Sequence, residues 1–242
     1  TSVQNIWNGV TKTCHQALKT LFREAVFVGC ADEGFFLAQS GTKLYLMNSH
    51  ALSRRLMYQE AVRQFAAFPV IELVTPTSVR DILAAAIELP AAGWTPQVGA
   101  KEQIVTDATE LLRSRREMLA EYFSINIDQE GRLCGIPSIV DGYVPDLDGL
   151  PMFLLRLASE VNWSEEEPCF EGIIAELAEF CSIQPAIAER QATVREAHLN
   201  DIQHRIFPWL KRRLLPPHEF ASDSSLIQVA CLEKLYQIFE RC

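Results

Sequence analysis

Apolar residues recur at helical spacing at both ends of the chain and at strand spacing between them. Val3, Ile6, Trp7, Val10, Cys14, Leu18 and Leu21 fall three or four apart, which predicts one amphipathic helix over 2–23 with Ser2 as its N-cap. Short apolar runs at 25–30, 35–39 and 43–47, joined by tight Gly-containing turns, then read as a meander of strands. Asn48 or Ser49 caps a helix carrying Leu52, Leu56, Val62, Phe65 and Ala66, which Pro69 ends before a strand at 70–74.

Breakers gather at Thr75-Pro-Thr-Ser78, a predicted boundary. Ser78 and Asp81 have capping-box spacing and open a helix to Leu89. A loop follows at 90–99, then a long helix marked by Ile104, Ala108, Leu111, Leu112, Met118, Leu119 and Tyr122. Strands at 123–127 and 132–136 flank Asp128-Gln-Glu-Gly131, a hairpin signature, and this insert ends near Pro145. Residues 149–163 are the most apolar stretch, with Pro151 suited to a first helical turn. Arg156 inside that run is placed to hold carbonyls or a carboxylate. A second capping box at 164–167 opens a helix through Phe170, Ile173, Ile174, Leu177 and Cys181. A helix from 188, interrupted at Pro208, precedes a loop at 216–225 and a last strand at 226–230. Leu232, Leu235, Tyr236 and Phe239 then predict a terminal helix, apolar almost to its last residue. The class is α/β (α+β), a short-stranded sheet with packed helices.

The chain of 242 residues is long enough for one large or two small domains. Its balance of 48% hydrophobic and 22% charged residues is that of a globular protein. A net charge of −9 and a pI near 5.1 argue against a strong autonomous nucleic-acid binder, leaving room for a local basic stripe or a partner. No apolar run reaches the ~18 residues of a membrane span, so no membrane partner is expected. Thr1 in place of an initiator Met, without a signal peptide, suggests a piece of a longer chain. The seven cysteines are scattered and form no CxxC pair, which reads as reduced, intracellular and mainly structural.

Few constellations point to chemistry. There is no Gly-rich phosphate loop and no GxSxG elbow. His15 and His198 fall among polar helical positions and are expected to be exposed, while His204 and His218 suggest nothing specific. Arg113, Arg115 and Arg116 read as a solvated helix face. Arg205, Lys211, Arg212 and Arg213 interleave with Phe207 and Trp209, which leaves two readings open: DNA-backbone contact, or domain packing with solubility. Glu165, Glu166 and Glu167 occupy a first helical turn, where the macrodipole favours carboxylates without further chemistry. The terminal Cys242 leaves two readings open: a thiolate and an α-carboxylate together, both good ligands for zinc, or an incidental cysteine on a helix that packs on its own domain.

Several segments together resemble one family. They include Phe27-Val-Gly-Cys30, Thr42-Lys-Leu-Tyr-Leu46, Ala92-Gly-Trp-Thr95, Glu117-Met-Leu-Ala-Glu-Tyr-Phe-Ser124, Tyr143-Val-Pro145, Gly149-Leu-Pro151, Glu160-Val-Asn-Trp163, Leu215-Pro-Pro217 and Phe239-Glu-Arg-Cys242. The chain is similar to the C-terminal domain of the eukaryotic MutL homologue that is the shared subunit of mismatch-repair heterodimers. The resemblance covers nearly the whole length and is weakest over 185–213.

The resemblance implies a dimerisation subdomain from 1–75 and 146–242, with an external, regulatory-type subdomain at 76–145. It implies a heterodimer in the nucleus with a PMS-type MutL homologue, which carries a metal-dependent endonuclease. The partner's motif runs Asp-Gln-His-Ala, then Glu and Glu at fixed spacing. Here the positions hold Asn48, Ser49, His50, Ala51, Arg54 and Gln59, so the spacing is kept without the carboxylates that hard divalent cations require. His50 is therefore expected to cap or pack. The chain itself is expected to be non-catalytic and to hold no cofactor alone. Its Cys242 would reach the partner's zinc site, anchored by Phe239, Glu240 and Arg241. Leu226, Ile227, Val229, Met152 and Leu155 are the expected interface residues. Glu166 is the candidate for capturing peptide motifs of the repair exonuclease and related proteins, and DNA is met indirectly through the full complex. The rival reading is a self-sufficient metal-dependent endonuclease acting as a homodimer through His50 and Cys242. A peptide-binding adaptor outside DNA repair is a third.

Overall fold

A computed structural model describes residues 1–184 and 192–233. The start of the helix expected from 188, and Leu235, Tyr236, Phe239, Glu240, Arg241 and Cys242, lie outside the described residues. In chain order the elements are α1 (Ser2–Lys12), α2 (Gln16–Glu24), β1 (Val26–Cys30), β2 (Phe35–Ser40), β3 (Lys43–Asn48), α3 (Ser49–Arg63) and β4 (Val70–Ser78). They continue with α4 (Val79–Ala86), α5 (Lys101–Ser114), α6 (Arg116–Phe123), β5 (Asn126–Ile127), β6 (Arg132–Pro137), α7 (Leu150–Ser159) and α8 (Glu166–Cys181). Last come α9 (Ala192–Asp201), a π-helical turn (Ile202–Ile206), α10 (Phe207–Arg213) and β7 (Leu226–Cys231). The mixed α/β class expected from the sequence is the one observed.

The chain forms two compact units. One comprises Trp7–Gln59, Val140–Tyr143 and Ser182–Cys242. Its sheet is antiparallel, in the order β1-β2-β3-β7. The register sets Phe36 opposite Met47 and Ala38 opposite Tyr45, all four buried. Phe27 and Phe36 meet Phe207 of α10 at ring centroid distances of 5.3 and 5.7 Å, closing that face. The π-helical turn before α10 adds one residue to the helical path, so that Ile202, Ile206, Phe207 and Leu210 are all buried.

The other unit comprises Thr1–Ile6, Glu60–Ile139 and Val144–Cys181. Its antiparallel sheet has the order β4-β6-β5. Helix α7 packs on α4, α5 and α8, which places residues 150–181 by packing with the 60–139 stretch. Phe65, Tyr122, Phe123 and Phe170 form one aromatic cluster, with Phe65 and Phe170 centroids 5.0 Å apart. Arg156 donates from Nε and Nη2 to the two oxygens of Glu176 at 2.7 and 3.0 Å, the carboxylate role its position suggested.

Several local expectations are corrected. The helix over 2–23 is two helices, because 13–15 pairs with 216–218: His15 N donates to Pro216 O at 2.8 Å and His218 N to Thr13 O at 3.1 Å. His15 is half-buried rather than exposed, and its Nδ1 caps α2 by accepting from Leu18 N. Ser2 lies within α1 and not at its cap, with its hydroxyl turned to Glu166. His198 is buried, not exposed, and donates from Nε2 to Glu33 O at 3.0 Å. Helix α3 ends at Arg63, ahead of Pro69, in a turn where Ala66 takes a φ of 60° and donates its N–H to Tyr122 O. The breakers at 75–78 do not end β4; Thr75 and Pro76 fall in an excursion between the Glu72–Gly135 and Thr77–Leu133 pairs, and Ser78 pairs with Arg132. The helix predicted through 104–122 breaks at Arg115, and Ser124 at φ 53° starts the turn into β5. The α-helical pattern is interrupted just ahead of Pro208, by the π-helical turn Ile202–Ile206, and resumes as α10 with the proline in its first turn. Asn48 does cap α3, accepting from Ala51 N at 2.9 Å, and Ser78 caps α4.

Candidate functional site

The start of α3 follows directly from β3, so the sheet fixes where its side chains lie. Asn48 is spent on the cap. His50 Nδ1 lies 3.1 Å from both Ile183 O and Ser182 Oγ, which ties the ring to the chain beyond α8. Ser53 Oγ accepts from Ile183 N at 2.8 Å and fixes the same strand of chain. Gln59, fully buried, donates to Leu215 O at 2.7 Å and accepts from Leu215 N at 2.8 Å, satisfying both backbone groups of one residue with its amide. Arg54 is exposed, and the half-buried Arg55 bonds Thr13 Oγ1 while burial lowers its pKa. Every position that would bind a divalent cation in the partner motif is thus neutral or cationic, and Asn48, His50 and Gln59 hold protein backbone or hydroxyl groups. Among the described residues no three His, Cys, Asp or Glu side chains come together as a metal site.

The second feature is the outer face of the four-stranded sheet. The register sets Leu37 opposite Leu46, and Leu46 opposite Ile227. Bulges in β1 between Phe27 and Gly29, and in β7 opposite Leu44 and Tyr45, fall at Val28 and Val229. Val26, Val28, Ile227 and Val229 are 61, 54, 43 and 49% exposed, with Leu37, Leu44 and Leu46 half-covered between them. Exposed valines on both edge strands with leucines between make a continuous apolar surface.

The five residues expected at an interface divide between the units. Ile227 and Val229 lie on this outer face, whereas Leu226 sits opposite the buried Met47. Met152 and Leu155 lie on α7 in the other unit, and Leu155 is only 7% exposed. Sequence reasoning missed Val26, Val28, Leu37, Leu44 and Leu46. Their signal was available: β1, β2 and β3 are apolar on alternate residues of both faces, the mark of a sheet to be covered twice.

Glu166 accepts from Ser2 Oγ at 2.6 Å, and the neighbouring Glu167 from Asn5 Nδ2 at 2.8 Å, so α8 begins by holding α1. The chain leaves β7 at the opposite end of β3 from α3. Cys231 pairs with Lys43, Leu232 N donates to Thr42 O at 2.8 Å, and Thr42 Oγ1 donates to Glu233 at 3.3 Å.

Fold and helix-start spacing together fit an α/β domain of the MutL type. The chain belongs to the family described as "DNA mismatch repair protein Mlh1 C-terminus", which matches residues 1–242. Among its relatives, "DNA mismatch repair protein Mlh1" of Dictyostelium discoideum is 38% identical across the whole of this chain and 30% of its own length. "DNA mismatch repair protein MLH1" of Saccharomyces cerevisiae is 30% identical, again across the whole chain and 34% of its own length. "Putative MutL protein homolog 1" of Schizosaccharomyces pombe is 26% identical with the same coverage, 100% of this chain and 34% of its own. The chain therefore spans about a third of the length of these relatives.

Proposed function

We propose that this domain is the non-catalytic half of a MutL-type heterodimer in the nucleus, paired with a PMS-type MutL homologue. The observation that carries the reading is the apolar outer face of the four-stranded sheet, which a like sheet of a partner would cover. The dimerisation subdomain is read as centring on that sheet. The α3 start supports catalytic silence, since its motif positions are occupied with holding the fold.

The tail serves the partner. It leaves the sheet beside Lys43, about five strand residues from Asn48, or roughly 17 Å from the chain's own α3 start. Delivery of Cys242 to a PMS-type partner is favoured over the rival homodimeric nuclease, because the helix start at His50 carries Asn48, Arg54 and Gln59 where a hard divalent cation would need carboxylates. A thiol near its free pKa is mostly protonated at neutral pH, and zinc binding deprotonates it. Cys242 would thus complete a zinc site whose other ligands come from the partner. Glu166, which accepts from Ser2 through one carboxylate oxygen, is the candidate for taking peptide motifs of the repair exonuclease through the other.

Co-expression with a PMS-type C-terminal domain tests the reading. A stoichiometric heterodimer is expected by sizing, and Cys242→Ala should lower its zinc content and nicking while leaving the dimer intact. Failure of the two chains to co-purify would overturn the assignment, as would nicking by this chain alone.

A further inference from the structure

The chain's acidity is not shared between its units. Unit Thr1–Ile6, Glu60–Ile139, Val144–Cys181 holds 8 Lys and Arg against 20 Asp and Glu, a formal −12. The described residues of the other unit hold 11 against 9, a formal +2. Within that unit the cations concentrate further. Residues 12–24 and 207–219, which include α2 and α10, carry six Lys and Arg against two Glu.

The two helices pack together. Leu18 and Phe22 of α2, and Phe207 and Leu210 of α10, are buried. The pairing of 13–15 with 216–218 pins the start of α2 to the chain just past the end of α10. Lys12, Lys19 and Arg23 are exposed on α1 and α2, and Arg212 and Arg213 on α10, with Lys211 half-covered. Aromatic rings brace the α10 cations. Lys211 Nζ lies 5.9 Å from the Phe207 ring centre and the Arg213 guanidinium 5.9 Å from that of Trp209. Arg212 Nε donates to Pro208 O at 3.2 Å. The two acids are already attended: Glu219 is attracted to Arg55, and Glu24 lies 3.9 Å from Arg23.

We propose that the α2–α10 face binds the phosphate backbone of duplex DNA directly. Long, exposed cations on two packed helices can neutralise backbone phosphates and release their counterions. Nothing in the set has the amide side chains or groove-entering geometry of base readout, so binding is independent of sequence. An acidic protein surface is the other occupant such charge attracts, and the test separates the two. The inference does not depend on the dimer reading, because the face stands on the chain itself.

The test is fluorescence anisotropy of the 242-residue chain with a mixed-sequence duplex over a salt series. The K211Q/R212Q/R213Q variant should bind at least tenfold more weakly at low salt. Its log–log salt slope should fall by about 2 to 3, near 0.9 per lost phosphate contact. K19Q/R23Q, on the neighbouring helix, should give a smaller loss of the same kind, and R212K/R213K should retain binding. Thermal melting of each variant checks that folding is kept; should the triple variant melt early, the K19Q/R23Q pair decides. Unchanged affinity and slope in the triple and double variants would overturn the proposal. So would displacement of the duplex by polyglutamate of equal charge at equal concentration, which would mark the face as one for acidic protein.

Discussion

The two sheets of this protein are made differently. In the three-stranded sheet the central strand β6 is buried on both faces, with Leu133, Gly135, Ile136 and Pro137 all buried. In the four-stranded sheet Phe36, Ala38, Tyr45 and Met47 are covered and the opposite face is left apolar and open. Charge follows the same division, with −12 on the first unit and near neutrality on the second. Apolar surface is buried around the first sheet and stays open on one face of the second, in the unit whose formal charge is near zero.

The largest effects should come from exchanging these roles. Leu133→Ala opens a cavity at a fully buried site and should cost about 2–5 kcal/mol of stability in a denaturant titration. Its effect on pairing should be confined to the fraction unfolded. Ile227→Asp should do the reverse, leaving the melting of the isolated chain within about 0.5 kcal/mol. It should weaken heterodimer formation by more than about a hundredfold, roughly 2.7 kcal/mol, in sizing or calorimetry. Equal behaviour of the two variants in both assays would erase the distinction between the sheets.

A somewhat smaller effect distinguishes the α3 start from the metal site its spacing resembles. Gln59→Ala leaves the Leu215 N–H and C=O without their partner in a fully buried position, at a cost of about 2–4 kcal/mol. Gln59→Glu restores a carboxylate at a motif position, yet removes the donor to Leu215 O and buries a charge. It should destabilise the chain and confer no metal retention, as read by thermal melting with and without added zinc. Retention of stoichiometric metal by Gln59→Glu would mean that the spacing alone still encodes a site.

Much of this was legible in the sequence where local chemistry decides it. Asn48 and Ser78 as caps, Pro151 in a first turn, Arg156 holding a carboxylate and the meander of β1 to β3 are all short-range matters. What was illegible depends on distant chain. The break at Thr13–His15 exists because 216–218 pairs there, and no periodicity within α1 and α2 records it. His198 reads as polar and exposed until Glu33 O is found opposite it. The helix-start motif was legible as a degraded pattern, but what its side chains do instead required Ile183 and Leu215, more than a hundred residues away. The open sheet face was written in the two-sided apolar alternation, which predicts double coverage without naming the covering chain.

The smallest expected effect lies in the acidic unit and opposes its general trend. Twenty Asp and Glu against eight Lys and Arg repel one another there, and acidification should relieve that repulsion. Asp128, in the turn before β6, behaves in the opposite sense. Its Oδ1 accepts from Arg132 N at 2.8 Å and its Oδ2 from Arg132 Nε at 2.8 Å. The backbone bond first, then the guanidinium, holds its carboxyl below the ordinary range. A carboxyl that is harder to protonate in the folded state contributes stability above its unfolded pKa of about 3.9. That contribution is lost as pH falls through the lower, folded value. Asp128→Asn keeps an acceptor for Arg132 N but not the charge. It should therefore melt slightly below the wild type at neutral pH, with the gap closing as the pH falls below the unfolded carboxyl's range and through the lower, folded one. A gap that persists unchanged at low pH would assign the effect to turn geometry and not to the ionised carboxylate.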